Sequence, residues 1–201
     1  MRITSILGSR NKHGRTAEAA RSLTDAMAAK GNEAETIFLP SMNLESCRQC
    51  NPDGWGDCRE KGTCIIDDDF ESISEKIVLS DAVVFATPVY YSDLSESMKR
   101  FTDRLRRCSR STITRTGKNR FRIPAIGICN AGGGGGGSYQ CATNLQKVLS
   151  TCGFEVIDIV PVRRQNLEFK SQSLRLLGEW LPEYIESGEW ERVIPRPKTV
   201  K

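Results

Sequence analysis

A run of glycine, hydroxyl and basic residues follows the short apolar segment at the start of the chain, Gly8-Ser9-Arg10-Asn11-Lys12-His13-Gly14-Arg15-Thr16. An Ala-rich segment with helical spacing comes directly after it. A strand, a turn of this composition and a helix form an anion cradle, because the turn aims backbone N–H groups at the ligand and the helix N-terminus adds its positive end. The spacing therefore predicts a phosphate site.

A second group of residues that could carry chemistry consists of four cysteines, separated by two, seven and five residues: Cys47, Cys50, Cys58 and Cys64. Four thiolates in one loop suit a [4Fe–4S] cluster. They also suit tetrahedral Zn²⁺, although paired C-x-x-C knuckles are usual there and only one is present. Free thiols are the third interpretation. The other four cysteines are predicted to be buried small residues: Cys108, Cys129, Cys141 and Cys152.

The sequence contains partial or uninformative matches to two nucleotide-binding motifs. The first loop is close to a Walker A motif, yet Arg15 stands where that motif has lysine, which argues against a nucleoside triphosphatase. The run Gly132 to Gly137 satisfies G-x-G-x-x-G trivially, because all six of its residues are glycine. Its physical meaning is bare backbone, which a flat ligand can approach closely.

Composition sets the broad class of the protein. The 201 residues, 38% hydrophobic and 27% charged, are typical of a globular chain with a proper core. A net charge of +4 is too small to indicate a nucleic-acid partner. We expect no signal peptide and no membrane span, because the apolar runs are too short. Eight cysteines without a secretory signal indicate a reducing cytoplasm.

Hydrophobic patterning predicts five strands alternating with helices. The predicted strands are residues 1–7, 33–39, 82–86, 123–129 and 154–160. The predicted helices are residues 17–30, 69–80, 93–108, 139–151 and 171–181. A capping box at Asp68-Asp69-Phe70-Glu71 is predicted to open the second of them, and Pro182 to end the last or to start a further short helix. Residues 110–120 are predicted to be a polar connector.

This alternation predicts an α/β fold, a doubly wound five-stranded parallel sheet of flavodoxin-like order 2-1-3-4-5. Residues 1–161 form the predicted domain, with a cysteine-rich loop at 41–66, and residues 162–201 form a C-terminal helical arm and tail. In such sheets the ligand binds beyond the carboxyl ends of the strands. The loops at 8–16, 87–92 and 130–138 all fall at that edge.

Together these motifs resemble the NADPH-dependent FMN reductase family, and especially its cysteine-containing branch with the iron–sulfur flavoproteins. The resemblance covers residues 1–160. It is carried by Gly8-Ser9-(x)4-Gly14-x-Thr16, Thr87-Pro88-Val89-Tyr90-Tyr91, Met98-Lys99-x-Phe101-x-Asp103-Arg104 and the late glycine loop.

The resemblance implies FMN as cofactor and assigns residues to it. The phosphate would contact backbone amides and the first loop, at Ser9, Arg10, Asn11, Lys12, Gly14, Arg15 and Thr16. The isoalloxazine would lie along Thr87, Pro88, Val89, Tyr90, Tyr91 and Ser92, and its other edge would meet Asn130, Gly132, Gly133, Gly134 and Gly135. The phosphate's cationic partner is Arg10, Lys12 or Arg15. We expect one of the two tyrosines to pack on a helix and the other to flank the flavin, with His13 exposed.

The resemblance also implies an activity. It is that of an FMN-dependent oxidoreductase passing electrons from NAD(P)H, or from a reduced carrier such as ferredoxin, to a flavin, quinone or other small-molecule acceptor. A flavodoxin-type carrier without its own substrate is the alternative. Homodimers or homotetramers are implied as well.

The cysteine loop fits the iron–sulfur branch in one respect and departs from it in another. Four cysteines precede an Asp-Asp pair, as they do there, but residues 51–57 widen the second spacing. Residues 99–122 carry ten Lys/Arg against one acid. They form either a solvated face or a docking surface for an acidic carrier or the extra phosphate of NADPH.

Overall fold

The computed structural model describes residues 1–116 and 119–192 and contains one parallel sheet of five strands in the order β2-β1-β3-β4-β5. The predicted flavodoxin-like topology is therefore confirmed. The strands are β1 Arg2–Leu7, β2 Glu33–Phe38, β3 Ala82–Pro88, β4 Pro124–Ala131 and β5 Glu155–Arg163. The helices are α1 Arg15–Ala29, α2 Asp57–Glu60, α3 Phe70–Val78, α4 Glu96–Thr116, α5 Ser138–Cys152 and α6 Leu167–Glu186.

Helices cover both faces of the sheet, which is why its central strands are apolar on both sides. One face packs on α3, α4 and α5, through buried residues such as Phe70, Phe101 and Leu145. The other face packs on α1 and α6, through residues such as Leu23 and Leu174. No helix among the described residues has both the length and the apolar composition that crossing a membrane requires.

Two helices are longer than the patterning predicts. Helix α4 continues to Thr116, so the predicted connector is helical at residues 110–116, while residues 117 and 118 lie outside the described part. Arginine is a good helix former, and no Gly or Pro interrupts this segment. Helix α6 begins at Leu167 and runs through Pro182 without ending there. Pro182 is buried, so packing of the helix overrides the proline's local preference.

The predicted capping box at the start of α3 is only half formed. Asp68 Oδ1 accepts the Phe70 amide at 3.1 Å, but Glu71 pairs with Arg120 and makes no return bond to the cap. The Asp69 side chain makes no hydrogen bond to its own helix. Instead, Asp69 Oδ2 accepts the amide of Asn43 at 2.7 Å and Asp68 Oδ2 accepts the amide of Glu45 at 2.7 Å. The two carboxylates therefore fasten the beginning of the cysteine loop to the beginning of α3.

Candidate functional site

The three strand-end loops lie together at the carboxyl edge of the sheet. The Gly8 amide donates to Ala86 O at 2.8 Å, which ties the first loop to β3. The Val89 amide donates to Asn130 O at 3.0 Å, which ties the second loop to β4. A Cβ on Gly137 would lie 2.6 Å from Ser92 Cα, so the glycine loop touches the second loop directly. The predicted convergence is therefore present as one continuous surface.

The first loop presents an open helix N-terminus flanked by cations. Gly14 is the N-cap of α1 and receives no side-chain cap. The Asn11 side chain braces the turn, since its Oδ1 accepts the His13 amide at 2.9 Å. Among the described residues, the exposed Arg10 and Arg15 form no ion pair with a carboxylate, while Lys12 Nζ lies 5.6 Å from the Phe38 ring centroid. These features suit an anion such as a phosphate.

Thr87 and Gly8, at the ends of two neighbouring strands, make contacts that hold the site's backbone together. Thr87 is fully buried, and its Oγ1 accepts the Ser95 amide at 3.0 Å at the approach to α4. A Cβ on Gly8 would lie 2.3 Å from Ser95 Oγ, so glycine permits the first loop to pass beside this contact. Ser97 Oγ then donates to Gly8 O at 3.1 Å. The roles of Ser95 and Ser97 could not be predicted, because nothing in their spacing indicates that the first loop passes beside them.

The tyrosine turn, residues 90–93, corrects one expectation. Tyr91 and Ser92 adopt left-handed backbone conformations, with φ of 49° and 64°. Tyr90 is 57% exposed and Tyr91 fully exposed, so the expectation that one tyrosine packs on a helix is wrong. The turn is closed by reciprocal backbone hydrogen bonds between Tyr90 and Asp93. Left-handed conformations are uncommon for residues with side chains and concentrate at functional sites.

Asp93 holds this turn in place. Its carboxylate accepts hydrogen bonds from Lys99, from the Leu94 amide and from Asn144 Nδ2. Burial by itself would raise the pKa of Asp93, but these hydrogen bonds outweigh it and the pKa is lowered. The turn that bears the two exposed tyrosines is thus held by the ionised carboxylate of Asp93.

The first residues of the glycine loop, Gly132 to Gly134, expose their backbone to open space. A Cβ on Gly132, Gly133 or Gly134 would meet no described atom within 4 Å. Gly135 is different, because its Cβ would lie 3.0 Å from both Arg163 Cδ and Gln165 Oε1. Asn130, at the end of β4, is buried, and its Oδ1 has no hydrogen-bond partner among the described residues. An orphaned buried acceptor beside open backbone fits a ligand with its own donors.

A cleft of about 300 Å³ joins this edge to the beginning of the cysteine loop. Gly8, Arg10 and Tyr90 line one part of it. Met42, Leu44 and Arg100 line another. The predicted phosphate loop and the cysteine loop are therefore neighbours in space.

The four loop cysteines line one small cavity of about 20 Å³, together with a fifth thiol from α4. That thiol is Cys108, which is buried as predicted, and burial raises its pKa, with the Cys64 and Cys58 thiols adding to the effect. Within the described ranges, no group of three or more His, Cys, Asp and Glu side chains is placed to hold a metal ion. The five thiols therefore line one cavity, but they are not arranged as the ligands of a metal ion.

Three arginines on one face of α4 hold the cysteine loop. Arg100 Nη1 donates to Leu44 O at 3.0 Å, Arg104 Nη1 to Glu45 O at 3.1 Å and Arg107 Nη1 to Gly54 O at 2.6 Å. We call these residues the arginine ladder. The interpretation of residues 99–122 as a solvated face is wrong for the ladder. Its helical spacing is a signal that sequence analysis could have used.

A buried ion pair anchors the middle of the ladder. Arg104 contacts both oxygens of Asp68, at 2.6 and 2.9 Å, and the side chains are 1% and 0% exposed. Burial alone would raise the pKa of Asp68, but hydrogen bonds from Arg104 and from the Glu45 and Phe70 amides prevail and lower it. Asp68 is therefore held ionised inside the protein.

Comparison with known proteins agrees with this geometry. A model of the NADPH-dependent FMN reductase family matches residues 1–165. An iron-sulfur flavoprotein of Archaeoglobus fulgidus is 32% identical over 105 residues, covering 52% of this chain and 46% of its own length. One of Methanocaldococcus jannaschii is 34% identical over 106 residues, covering 53% of this chain and 52% of its own. The matched segment thus spans about half the length of these relatives.

Solved structures show the same fold at low sequence identity. A flavone reductase superposes with a TM-score of 0.65 at 18% identity, covering 94% of this chain and 64% of that one. An NAD(P)H:quinone oxidoreductase from Methanothermobacter marburgensis gives a TM-score of 0.62 at 18% identity, covering 90% of this chain and 96% of its own.

Replacement of Asp68 tests the anchor. Asp68→Asn leaves the Arg104 cation buried and unpaired, so we expect unfolding free energy to fall by about 3–5 kcal/mol. Because the folded pKa is below the unfolded value of about 3.9, the wild-type contribution is present above that pH and is lost as pH falls through the folded pKa. The variant's urea-unfolding free energy should depend less on pH there. Glu75→Gln, at an exposed position of α3, is the control. A loss below about 0.5 kcal/mol for Asp68→Asn would contradict the anchor role.

Proposed function

The chain belongs to the NADPH-dependent FMN reductase family, and from this we propose that it is an FMN-dependent oxidoreductase. Its electrons would come from NAD(P)H or a reduced carrier such as ferredoxin and pass to a flavin, quinone or other small acceptor. The observation that carries the proposal is the continuous surface at the sheet edge. There a cationic loop with an open helix N-terminus, two exposed tyrosines and a bare glycine loop meet.

The first loop fits the FMN phosphate. The open N-terminus of α1 supplies amides, Ser9 and Thr16 supply hydroxyl groups, and Arg10, Lys12 and Arg15 supply positive charge. A monophosphate at a helix N-terminus is stabilised by both the amides and the helix dipole. Asn11 would act by bracing the turn through its Oδ1, which accepts the His13 amide.

The other two loops fit a flat aromatic ring system. Residues 87–92 present the exposed Tyr90 and Tyr91, of which Tyr90 lines the cleft, and Gly132 to Gly135 present backbone without side chains. FMN, when bound, supplies hydride and electron chemistry that the side chains lack. This chain's part is to orient the ring, to donate and accept main-chain hydrogen bonds, and to leave one side open for a donor or acceptor.

Flavin content and turnover test the proposed function together. The purified protein should be yellow, release FMN on denaturation, and oxidise NADH or NADPH when a quinone or free flavin is present. The triple variant Arg10→Gln/Lys12→Gln/Arg15→Gln should bind FMN at least about tenfold more weakly, since hydrogen bonds to charged groups contribute about 1.5–3 kcal/mol. Arg175→Gln, at an exposed position of α6, is the control for loss of a surface cation away from the loop and should bind FMN as wild type does.

Two outcomes of that experiment would contradict the proposal in different ways. A colourless protein that takes up no FMN would remove the flavin assignment. A yellow protein with no turnover under any of these donors would indicate the carrier alternative, an electron carrier without its own substrate.

We propose in addition that Cys47, Cys50, Cys58 and Cys64 bind a [4Fe–4S] cluster. Four thiols lining one cavity are the donor set that such a cluster takes. The cationic arginine ladder beside them suits thiolates. The relatives of about one-third identity are iron-sulfur flavoproteins, which supports the same assignment. When bound, the cluster would exchange single electrons.

Metal analysis tests the cluster. Protein purified without oxygen should contain about four iron and four sulfide per chain, as the cluster type requires. Cys58→Ser should lower the iron content strongly, while Cys152→Ser, at a buried cysteine away from the cavity, should leave it unchanged. Zinc without sulfide would favour the tetrahedral zinc site, and neither metal would favour free thiols.

We propose that a second copy of this chain covers α6, giving the homodimer or homotetramer that the resemblance implies. Phe169 and Leu176 are 64% and 65% exposed, and Trp180 also lies at the surface. Leu176 and Trp180 line a groove of about 420 Å³ between α6 and β5, and β5 is an edge strand. Large exposed apolar patches and open strand edges indicate contact surfaces.

Sedimentation velocity tests this interface. The wild type should sediment as a dimer or tetramer, and Leu176→Lys should shift it toward monomer because a charge would enter an apolar contact. Gln146→Lys, exposed on α5 at the opposite face of the sheet, should leave the assembly intact. A wild type that sediments as a monomer would contradict the proposed interface. A reducing compartment such as the cytoplasm is proposed for the protein, since none of the eight cysteines, all within the described residues, forms a disulfide.

A further inference from the structure

The charged side chains that line the cysteine cavity do not balance. Four of them line it, and three are bound to a residue of opposite charge: Arg48 to Glu45 at 2.8 Å, Asp57 to Lys61 at 2.7 Å and Arg104 to Asp68 at 2.6 Å. The fourth is Arg107, which forms no ion pair with any carboxylate in the described part of the chain. One positive charge at the cavity wall is therefore left without a counter-charge.

Arg107 is nevertheless held firmly in place. Its Nη1 donates to Gly54 O at 2.6 Å, and its guanidinium lies 4.9 Å from the centroid of the Trp55 ring. The other cation near that ring, Arg59, lies 5.7 Å from it. Both partners of Arg107 are neutral, so they fix the position of the charge without cancelling it. A half-buried cation in this situation is stabilised by any anion that enters the cavity.

The segment that widens the cysteine spacing supplies both contacts. Gly54 and Trp55 belong to residues 51–57, which separate Cys50 from Cys58. The segment is folded back on the thiols, because a Cβ on Gly56 would lie only 3.1 Å from Cys50 Cβ. The insertion therefore brings Arg107, which is far away in sequence, to the wall of the thiol cavity.

We propose that Arg107 is the counter-charge of the thiolate-bound group in this cavity and that it raises the reduction potential of that group. The inference rests on the proposed cluster. One-electron reduction adds one electron from an external reductant and makes or breaks no bond, so the group becomes more negative by one charge. A fixed cation stabilises the reduced form more than the oxidised form, and local charge is one of the factors that set cluster potentials.

Redox titration of the intact protein tests this role. Wild type and Arg107→Gln, both loaded with iron and sulfide without oxygen, are titrated with dithionite and mediators, and the reduced cluster is measured by electron paramagnetic resonance. At equal ambient potential, we expect the reduced-to-oxidised ratio to be about tenfold lower in Arg107→Gln, which corresponds to about 59 mV for one electron. Iron and FMN content should match wild type.

Two matched variants separate charge from architecture. Arg107→Lys keeps the cation but loses the planar stacking on Trp55, and its ratio should stay within about threefold of wild type. Arg106→Gln makes the same charge change one residue earlier, where the side chain lines a different cavity with Asp103 and Asn144. It should titrate as wild type does. An equal shift in Arg106→Gln would show a general charge effect and overturn the specific role of Arg107.

Each remaining outcome either supports or overturns the proposed role of Arg107. A loaded Arg107→Gln that titrates with wild type overturns this inference and leaves the cluster proposal intact. If Arg107→Gln fails to load while Arg107→Lys loads and keeps the wild-type potential, the counter-charge role is supported. Loss of the cluster in both variants would show a structural role instead. A wild-type chain that contains no iron and sulfide overturns the cluster proposal and this inference together.

Discussion

The buried ion pair between Arg104 and Asp68 is the constraint on which the cysteine half of the molecule depends. Asp68 also accepts the Glu45 amide, and Arg104 also donates to Glu45 O, so the pair closes the loop between its two ends. A long segment with little regular structure would otherwise be expensive to order. Removing one partner would leave the other charge uncompensated inside the protein, which is why the pair fixes the loop so strongly.

Helix α4 connects the two candidate sites. Just before its first turn, Ser95 is bound by Thr87, and Ser97 within that turn contacts Gly8, both at the sheet edge where the flavin is proposed to bind. Its middle carries the arginine ladder, which holds the cysteine loop. One rigid element therefore positions both groups of residues relative to each other. The cleft between Gly8 and Leu44 lies where these two regions meet.

Much of the fold and part of the site could be predicted from local sequence. The near-continuous apolar strand at residues 82–86 required a sheet covered on both faces, and the glycines of the first and last loops marked chain reversals at the ligand edge. The fate of side chains at those loops could not be predicted in the same way. Thr87 Oγ1 accepts the Ser95 amide, and both tyrosines are exposed on a turn with left-handed backbone. Those outcomes depend on contacts between residues distant in sequence.

The sequence by itself determined the parallel sheet, its order and the edge at which the loops meet, because hydrophobic periodicity and glycine positions act locally. It also determined that four thiols share one loop. Only the tertiary structure decided that Asp68 and Asp69 fasten the cysteine loop to the start of α3, and that Arg104 and Arg107 of α4 face the thiols. Charges such as these choose partners through space, where burial strengthens each interaction, and no spacing along the chain encodes which partner will be near.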